Sequence, residues 1–71
     1  MILWDAVPEG YFECYIDPYY GVVGLSRTQQ GWPARIEGPG FCQTASTLYH
    51  TARDAKQWVE EQFRARCAGQ Q

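Results

Sequence analysis

Residues 51–67 are TARDAKQWVEEQFRARC and contain neither glycine nor proline. The apolar residues in this run recur at the three- and four-residue spacing of one helix face, and they are Ala52, Ala55, Trp58, Val59 and Phe63. Thr51 suits the N-cap position, because its hydroxyl can accept a hydrogen bond from a backbone N–H in the first helical turn. The pattern predicts an amphipathic helix over about residues 51–67, followed by a flexible tail at residues 69–71.

Upstream of this run, glycine and proline divide the chain into short segments, and both residues favour turns. The segments between them predict strands over about residues 11–16, 20–27 and 32–37. Residues 41–48 are either a fourth strand or an extended loop, and residues 1–4 are a further candidate for a short strand. The predicted core face of these strands carries Phe12, Cys14, Ile16, Val23, Leu25, Trp32, Ala34 and Ile36.

The order of elements, strands first and one helix last, indicates the fold class. An antiparallel sheet can bury one face while the other stays in water, and a C-terminal amphipathic helix suits the buried face. The sequence therefore predicts a single α+β domain over residues 1–71. We expect a three- to four-stranded antiparallel sheet with one C-terminal helix packed on one face.

Charge is distributed unevenly along the 71 residues, although the net charge is only −2. Residues 1–26 carry four carboxylates and no cation, whereas residues 27–71 carry six cations and four carboxylates. Binding to a phosphate backbone needs a concentrated cationic surface, which the first part of the chain lacks. The distribution favours a basic protein as the partner of the N-terminal part.

Residues that could carry catalysis or hold a metal are few and widely spaced. Cys14, Cys42, Cys67 and His50 include no close pair of the kind that structural zinc sites use. Three separated cysteines predict free thiols in a reducing cytoplasm, and the chain shows no signal peptide and no membrane span. No nucleophile–base motif, carboxylate pair or phosphate loop is present, so we expect a cytoplasmic protein without enzymatic activity, cofactor or metal.

Tyrosines and charged residues are predicted on the sheet face that points away from the core. The candidate partner-binding residues are Tyr11, Glu13, Tyr15, Asp17, Tyr20, Arg27 and Arg35. Tyrosine and arginine are enriched at protein interfaces, and the same types stack on bases in nucleic-acid binders. A third interpretation is that the tyrosines cover a second, smaller core. The nearby carboxylates favour a protein partner over nucleic acid, and homodimer formation is left open because so small a core leaves apolar surface.

Two segments carry a resemblance to known domains. The run WPARI at residues 32–36, followed by a strand-like segment and then TARDAK at residues 51–56, resembles the sheet-then-helix layout of AP2-type and integrase arm-binding domains. That resemblance implies DNA contacts by basic and aromatic residues of the sheet, here Arg27 and Arg35. In size, acidity and lack of catalytic motifs, the chain is similar in general profile to small phage inhibitors such as anti-CRISPR proteins.

The prediction that follows is a small non-catalytic protein-binding module, an inhibitor or adaptor from a phage or mobile element. It would act through the exposed sheet face. The alternative is a nucleic-acid-binding sheet that uses tyrosine and arginine on the same face.

Overall fold

One antiparallel sheet and one helix make up the computed structural model, which describes residues 2–68. Within that range the elements are β1 (Asp5–Val7), β2 (Tyr11–Ile16), β3 (Tyr19–Val23), β4 (Ala34–Gly38), β5 (Phe41–Thr44) and α1 (Ala52–Ala68). The strands lie in the sheet in chain order, and each pairs antiparallel with its neighbour. The predicted α+β fold with a C-terminal helix is confirmed, but the sheet has five strands instead of three to four.

The core lies between α1 and the sheet, where the helix packs on β3 and β4. Its buried residues form one cluster, and they are Cys14, Tyr19, Val23, Ala34, Ile36, Ala55, Val59 and Phe63. Because strand residues alternate between faces, the strand members of this cluster come from one side of the sheet. Full burial of a valine, isoleucine or phenylalanine side chain stabilises the fold by about 1.5–3 kcal/mol. The apolar stripe predicted for the helix is confirmed, because Ala55, Val59 and Phe63 are buried.

Gly21 allows α1 to pack closely on the centre of the sheet. A β-carbon at this position would lie 2.6 Å from Cγ1 of Val59 and 2.9 Å from Sγ of Cys14. Real β-carbons essentially never approach other atoms so closely. The absence of a side chain at Gly21 therefore sets the distance between the helix and β3.

The start of α1 follows the N-cap expected from the sequence. Oγ1 of Thr51 accepts a hydrogen bond from the backbone N–H of Asp54 at 3.1 Å, and the helix begins at Ala52. This bond satisfies one of the N–H groups that a helix N-terminus leaves without an intrahelical acceptor. The predicted tail at residues 69–71 lies outside the described residues.

The third strand ends earlier than the alternating sequence predicts. Strand β3 stops at Val23, because Gly24 adopts a left-handed φ of 91° and the chain turns. The backbone N–H of Arg27 donates to the carbonyl of Gly24 at 3.0 Å, which closes that turn. Leu25 leaves the period of the strand and is 37% exposed, so its predicted place in the core is wrong.

The strand predicted over residues 11–16 is confirmed as β2, whereas the remaining strand boundaries shift from their predicted positions. The first strand is Asp5–Val7, so the strand proposed for residues 1–4 forms further along the chain. Trp32 precedes β4 and forms an isolated bridge with Tyr49, while Pro33 has no N–H to donate to a ladder. The segment predicted at residues 41–48 is a strand only over Phe41–Thr44.

Candidate functional site

The sheet face opposite α1 is not covered by any helix or strand of the described residues. We call it the open face, and its ladder positions are Asp5, Val7, Tyr11, Glu13, Tyr15, Tyr20, Val22, Arg35, Glu37, Cys42 and Thr44. Cross-strand pairing brings Tyr15 beside Tyr20 and Val22 beside Arg35. The open face therefore combines aromatic, acidic and basic side chains on one rigid sheet.

Two tyrosines and a glutamate form an ordered group on this face. The phenol of Tyr20 donates a hydrogen bond to Oε2 of Glu13 at 2.8 Å. The rings of Tyr15 and Tyr20 have centroids 6.3 Å apart, within the range of favourable aromatic pairs. Tyr15 is 67% exposed, so its ring projects into solvent while Tyr20 supports it from one side.

The phenol of Tyr20 is held in its neutral form. Burial raises the pKa of Tyr20 to about 12, and the hydrogen bond to Glu13 and the negative charge of that carboxylate act in the same direction. Arg35 opposes the shift only weakly, as the last of the contributing groups. At neutral pH, Tyr20 therefore remains a hydrogen-bond donor that fixes the carboxylate of Glu13.

Arg35 lies in the central row of the open face. Its guanidinium NH2 nitrogen is 3.4 Å from a carboxylate oxygen of Glu37, and both side chains are partly exposed. An exposed ion pair of this kind contributes roughly 0–1 kcal/mol. The Nε atom of Arg35 is buried and has no hydrogen-bond partner among the described residues. This nitrogen is a donor that an approaching ligand can satisfy only if the side chain moves.

A shallow cleft of about 220 Å³ lies at one end of the open face. Its apolar lining comes from Val22, Leu25 and Pro33, and its polar lining from Ser26, Arg35 and Thr44. We call this the open-face cleft. Leu25 reaches it because the turn after β3 carries the side chain away from the helix side.

The structure brings most of the predicted site residues together. Tyr11, Glu13, Tyr15, Tyr20 and Arg35 all occupy the open face, as the alternation of β2 and its neighbours implies. Asp17 is exposed in the turn between β2 and β3, where it precedes a cis proline.

Arg27 lies elsewhere. Its guanidinium carbon is 4.0 Å from the ring centroid of Trp32, in the loop between β3 and β4. The ring of Trp32 in turn packs at 6.0 Å from that of Phe12, which belongs to the helix side of β2. The expectation that Arg27 and Arg35 line one sheet face is therefore not met, because the early end of β3 carries Arg27 off the ladder.

Several residues of the open face were missed by sequence reasoning. Glu37 and Thr44 join it through the pairing of β4 with its neighbours, and Leu25 joins it through the turn. Alternation from the predicted core position of Ile36 does place Glu37 outside the core, although Glu37 was not among the candidate partner-binding residues. The local signal for the position of Leu25 is Gly24, whose left-handed conformation starts the turn.

The cysteines are free, as predicted, and they are not assembled with other ligands. Cys14 is buried, while Cys42 and Cys67 are exposed. Burial raises the pKa of the Cys14 thiol to about 12, which opposes formation of a nucleophilic thiolate. Between residues 2 and 68, no three His, Cys, Asp or Glu side chains are grouped closely enough to hold a metal ion.

Comparison with protein-family models, with curated proteins and with solved structures finds no match to this chain. In the described part of the chain, α1 is the helix present, and it lacks the length and apolar character needed to cross a membrane.

Proposed function

We propose that this protein is a non-catalytic binding module whose open face docks on a basic surface of a partner protein. The observation that carries the proposal is the exposed Tyr15 ring beside the fixed pair of Tyr20 and Glu13, on a sheet face that α1 leaves uncovered. Large rings with few rotatable bonds gain contact area at low entropic cost, which is why they recur as interface hot spots.

The charges around these rings support a basic partner. Asp5, Glu13 and Glu37 lie on the open face against the single cation Arg35, which already pairs with Glu37. Such a face repels a phosphate backbone and attracts lysine and arginine side chains. The charges therefore favour protein over the alternative, a nucleic acid bound to the sheet.

The open-face cleft supplies a second point of attachment. Its apolar lining and volume of about 220 Å³ suit one aliphatic or aromatic side chain of the partner. A central anchor in a pocket, surrounded by polar residues, is the usual organisation of a protein interface. We propose that the cleft receives such an anchor while Tyr15, which pairs with Tyr20 further along the sheet, makes a separate contact.

An inhibitory or adaptor role follows from this mode of binding. A module that covers a basic surface blocks the acidic ligand, such as nucleic acid, that the surface would otherwise bind. An origin in a phage or mobile element is part of the same proposal, and the identity of the captured partner tests it.

Affinity capture with a matched control tests the proposal. The bait proteins are the native chain, a variant with Tyr15→Ala and Glu13→Lys, and a Glu61→Lys variant, which makes the same charge change on an exposed position of α1. Circular dichroism confirms that all three baits are folded. Captured proteins are identified by mass spectrometry, and their binding is then measured with purified components.

We expect to capture a partner with a basic surface that binds the native chain and the Glu61→Lys variant. The same partner should not bind the variant with Tyr15→Ala and Glu13→Lys. Removal of one interface hot spot lowers affinity by about 2 kcal/mol or more, which is roughly 30-fold. A partner that binds all three baits equally would contradict the assignment to the open face. Failure to capture any partner from the native host would count against the binding function itself.

A further inference from the structure

A basic surface extends along α1 and the loop after β3. Arg53, Lys56 and Arg64 line a shallow depression along one flank of α1. Arg27 lines a second depression in the loop after β3, together with His50 and Trp32. These two depressions contain four of the six Lys and Arg residues of the sequence.

Aromatic rings join the two depressions into one surface. The amine of Lys56 lies 3.8 Å from the ring centroid of Phe12 and 5.6 Å from that of Trp4. Phe12 packs against Trp32, over which the guanidinium of Arg27 lies. We call the surface formed by Arg27, Arg53, Lys56 and Arg64 the basic strip.

The cations of the basic strip form no ion pair among residues 2–68, because none of the four lies within 4.0 Å of a carboxylate oxygen there. Glu60 lines the helix depression, and its Oε2 accepts a hydrogen bond from Nε1 of Trp4 at 2.9 Å. Glu9 lines a neighbouring depression with Arg27. Four cations against these two carboxylates leave the strip with a net positive charge.

We propose that the basic strip binds single-stranded nucleic acid. Arg53 and Lys56 would contact phosphates on one side of Glu60 and Arg64 on the other, since eleven helical residues span about 16 Å. Proteins that hold single strands combine a positively charged groove with flat groups on which bases stack. This site is separate from the open face and extends beyond the protein-binding function proposed above.

Arg27 favours nucleic acid over an acidic peptide as the occupant. Its guanidinium carbon lies 4.0 Å from the centroid of the Trp32 ring, and the residue is exposed, so a ligand can reach the guanidinium from solvent. A nucleobase can stack on an arginine that is held against an aromatic ring. An acidic peptide would use the charge of Arg27 but would gain nothing from the stacked plane.

Fluorescence anisotropy with a labelled oligothymidine of about a dozen nucleotides tests this proposal, since that length covers the usual site size of a small domain. Neutralising three or four phosphates gives a salt slope of roughly −2 to −3 for a single strand. We therefore expect affinity to fall roughly 20- to 50-fold when salt rises from about 50 to about 200 mM. Absence of binding at tens of micromolar protein in the lower salt would overturn the proposal.

Variants separate the contribution of charge from that of stacking. The double variant Arg53→Gln and Arg64→Gln should bind more weakly and with a shallower salt slope. Arg27→Lys keeps the charge but removes the plane, so it should weaken binding with little change in the slope. The control is Arg66→Gln, because Arg66 lies over the Phe41 ring near β5, away from the strip.

Two outcomes would contradict the proposal even if an anion binds. Equal losses in Arg66→Gln and in the strip variants would indicate nonspecific attraction to any exposed cation instead of a site. Competition by polyglutamate as effective as that by the oligonucleotide, with no effect of Arg27→Lys, would assign the strip to acidic proteins. Tyr15→Ala should leave oligonucleotide binding unchanged, so this test fails or succeeds independently of the open face.

Discussion

Replacing Gly21 with alanine tests the close packing of α1 on the sheet. The added methyl group would lie 2.6 Å from Cγ1 of Val59, 2.9 Å from Sγ of Cys14 and 3.1 Å from Cζ of Phe63. All three side chains are fully buried, so none of them can turn into solvent to make room. The helix must therefore move away from β3, or the core must repack around the methyl group.

The expected loss of stability comes from two opposing effects. Overpacking a dense core by a methyl group costs about 1–3 kcal/mol. Alanine lowers the conformational entropy of the unfolded chain relative to glycine, which raises the free energy of unfolding by about 0.4–1 kcal/mol. The φ of Gly21 lies outside the left-handed region, so the alanine adds no backbone strain. We expect Gly21→Ala to lower the free energy of unfolding by about 1–2 kcal/mol.

Urea unfolding followed by circular dichroism measures this change. A slope of about 1 kcal/mol per molar urea, at the low end for small proteins, converts the loss into a fall of about 1–2 M in the midpoint. Combining Gly21→Ala with Val59→Ala removes the methyl group nearest to the new β-carbon. The double variant should then lose less stability than the sum of the two single variants, by about 0.5 kcal/mol or more.

Either of two results would refute this explanation of the packing. A Gly21→Ala midpoint at or above that of the native chain would mean that the added methyl group fits. Additivity of the two substitutions to within about 0.3 kcal/mol would mean that Val59 and residue 21 do not compete for the same space.

Two further predictions concern ionisable groups. A thiol reagent should modify exposed Cys42 and Cys67 in the folded protein. Buried Cys14, whose pKa is raised to about 12, should react only after unfolding. Rapid reaction of all three thiols under native conditions would contradict the packing of Cys14. The fold favours the neutral phenol of Tyr20, so the stability that this residue contributes is complete below the ordinary pKa of 10.0. It should be lost as pH rises towards about 12. Spectroscopic titration of tyrosinate, compared with a Tyr20→Phe variant, measures the effect, and identical curves would contradict it.

The helix and its packed face were predictable because the information lies within seventeen residues. A run without glycine or proline, apolar residues at helical spacing and a threonine at its start act locally. Val59 and Phe63 are buried as that spacing implies, and the N-cap bond of Thr51 is formed. Periodicity predicts which face of a helix is buried, since the faces differ strongly in polarity.

The ends of the strands depended on information that periodicity does not contain. Residues 22–26 continue to alternate in the sequence, yet the strand ends because Gly24 turns into a left-handed conformation. Strand β1 shows the opposite case. Its three residues have no strong strand pattern. They pair with β2 because the turn between the two strands, in which the N–H of Gly10 donates to the carbonyl of Val7, brings them together. Both features arise from turn geometry and from the strand pairing that the turns allow.

The residues of the candidate sites also differ in how far alternation along a strand predicts their positions. Alternation in β2 was sufficient to place Tyr11, Glu13 and Tyr15 on one face, because the period of a strand is fixed. The position of Arg27 was not predictable in this way, because its stacking on Trp32 follows from the turn after Gly24.

The small net charge of −2 conceals two surfaces of opposite sign. Asp5, Glu13 and Glu37 lie on the open face beside one cation, whereas four cations without an ion pair among residues 2–68 line depressions on α1 and the loop after β3. The sheet lies between the open face and α1, and salt screens interactions between exposed charges. The strip therefore keeps a net positive charge of its own. Binding at one surface should leave affinity at the other unchanged, so a ligand that saturates the strip without displacing the protein partner would demonstrate two independent sites.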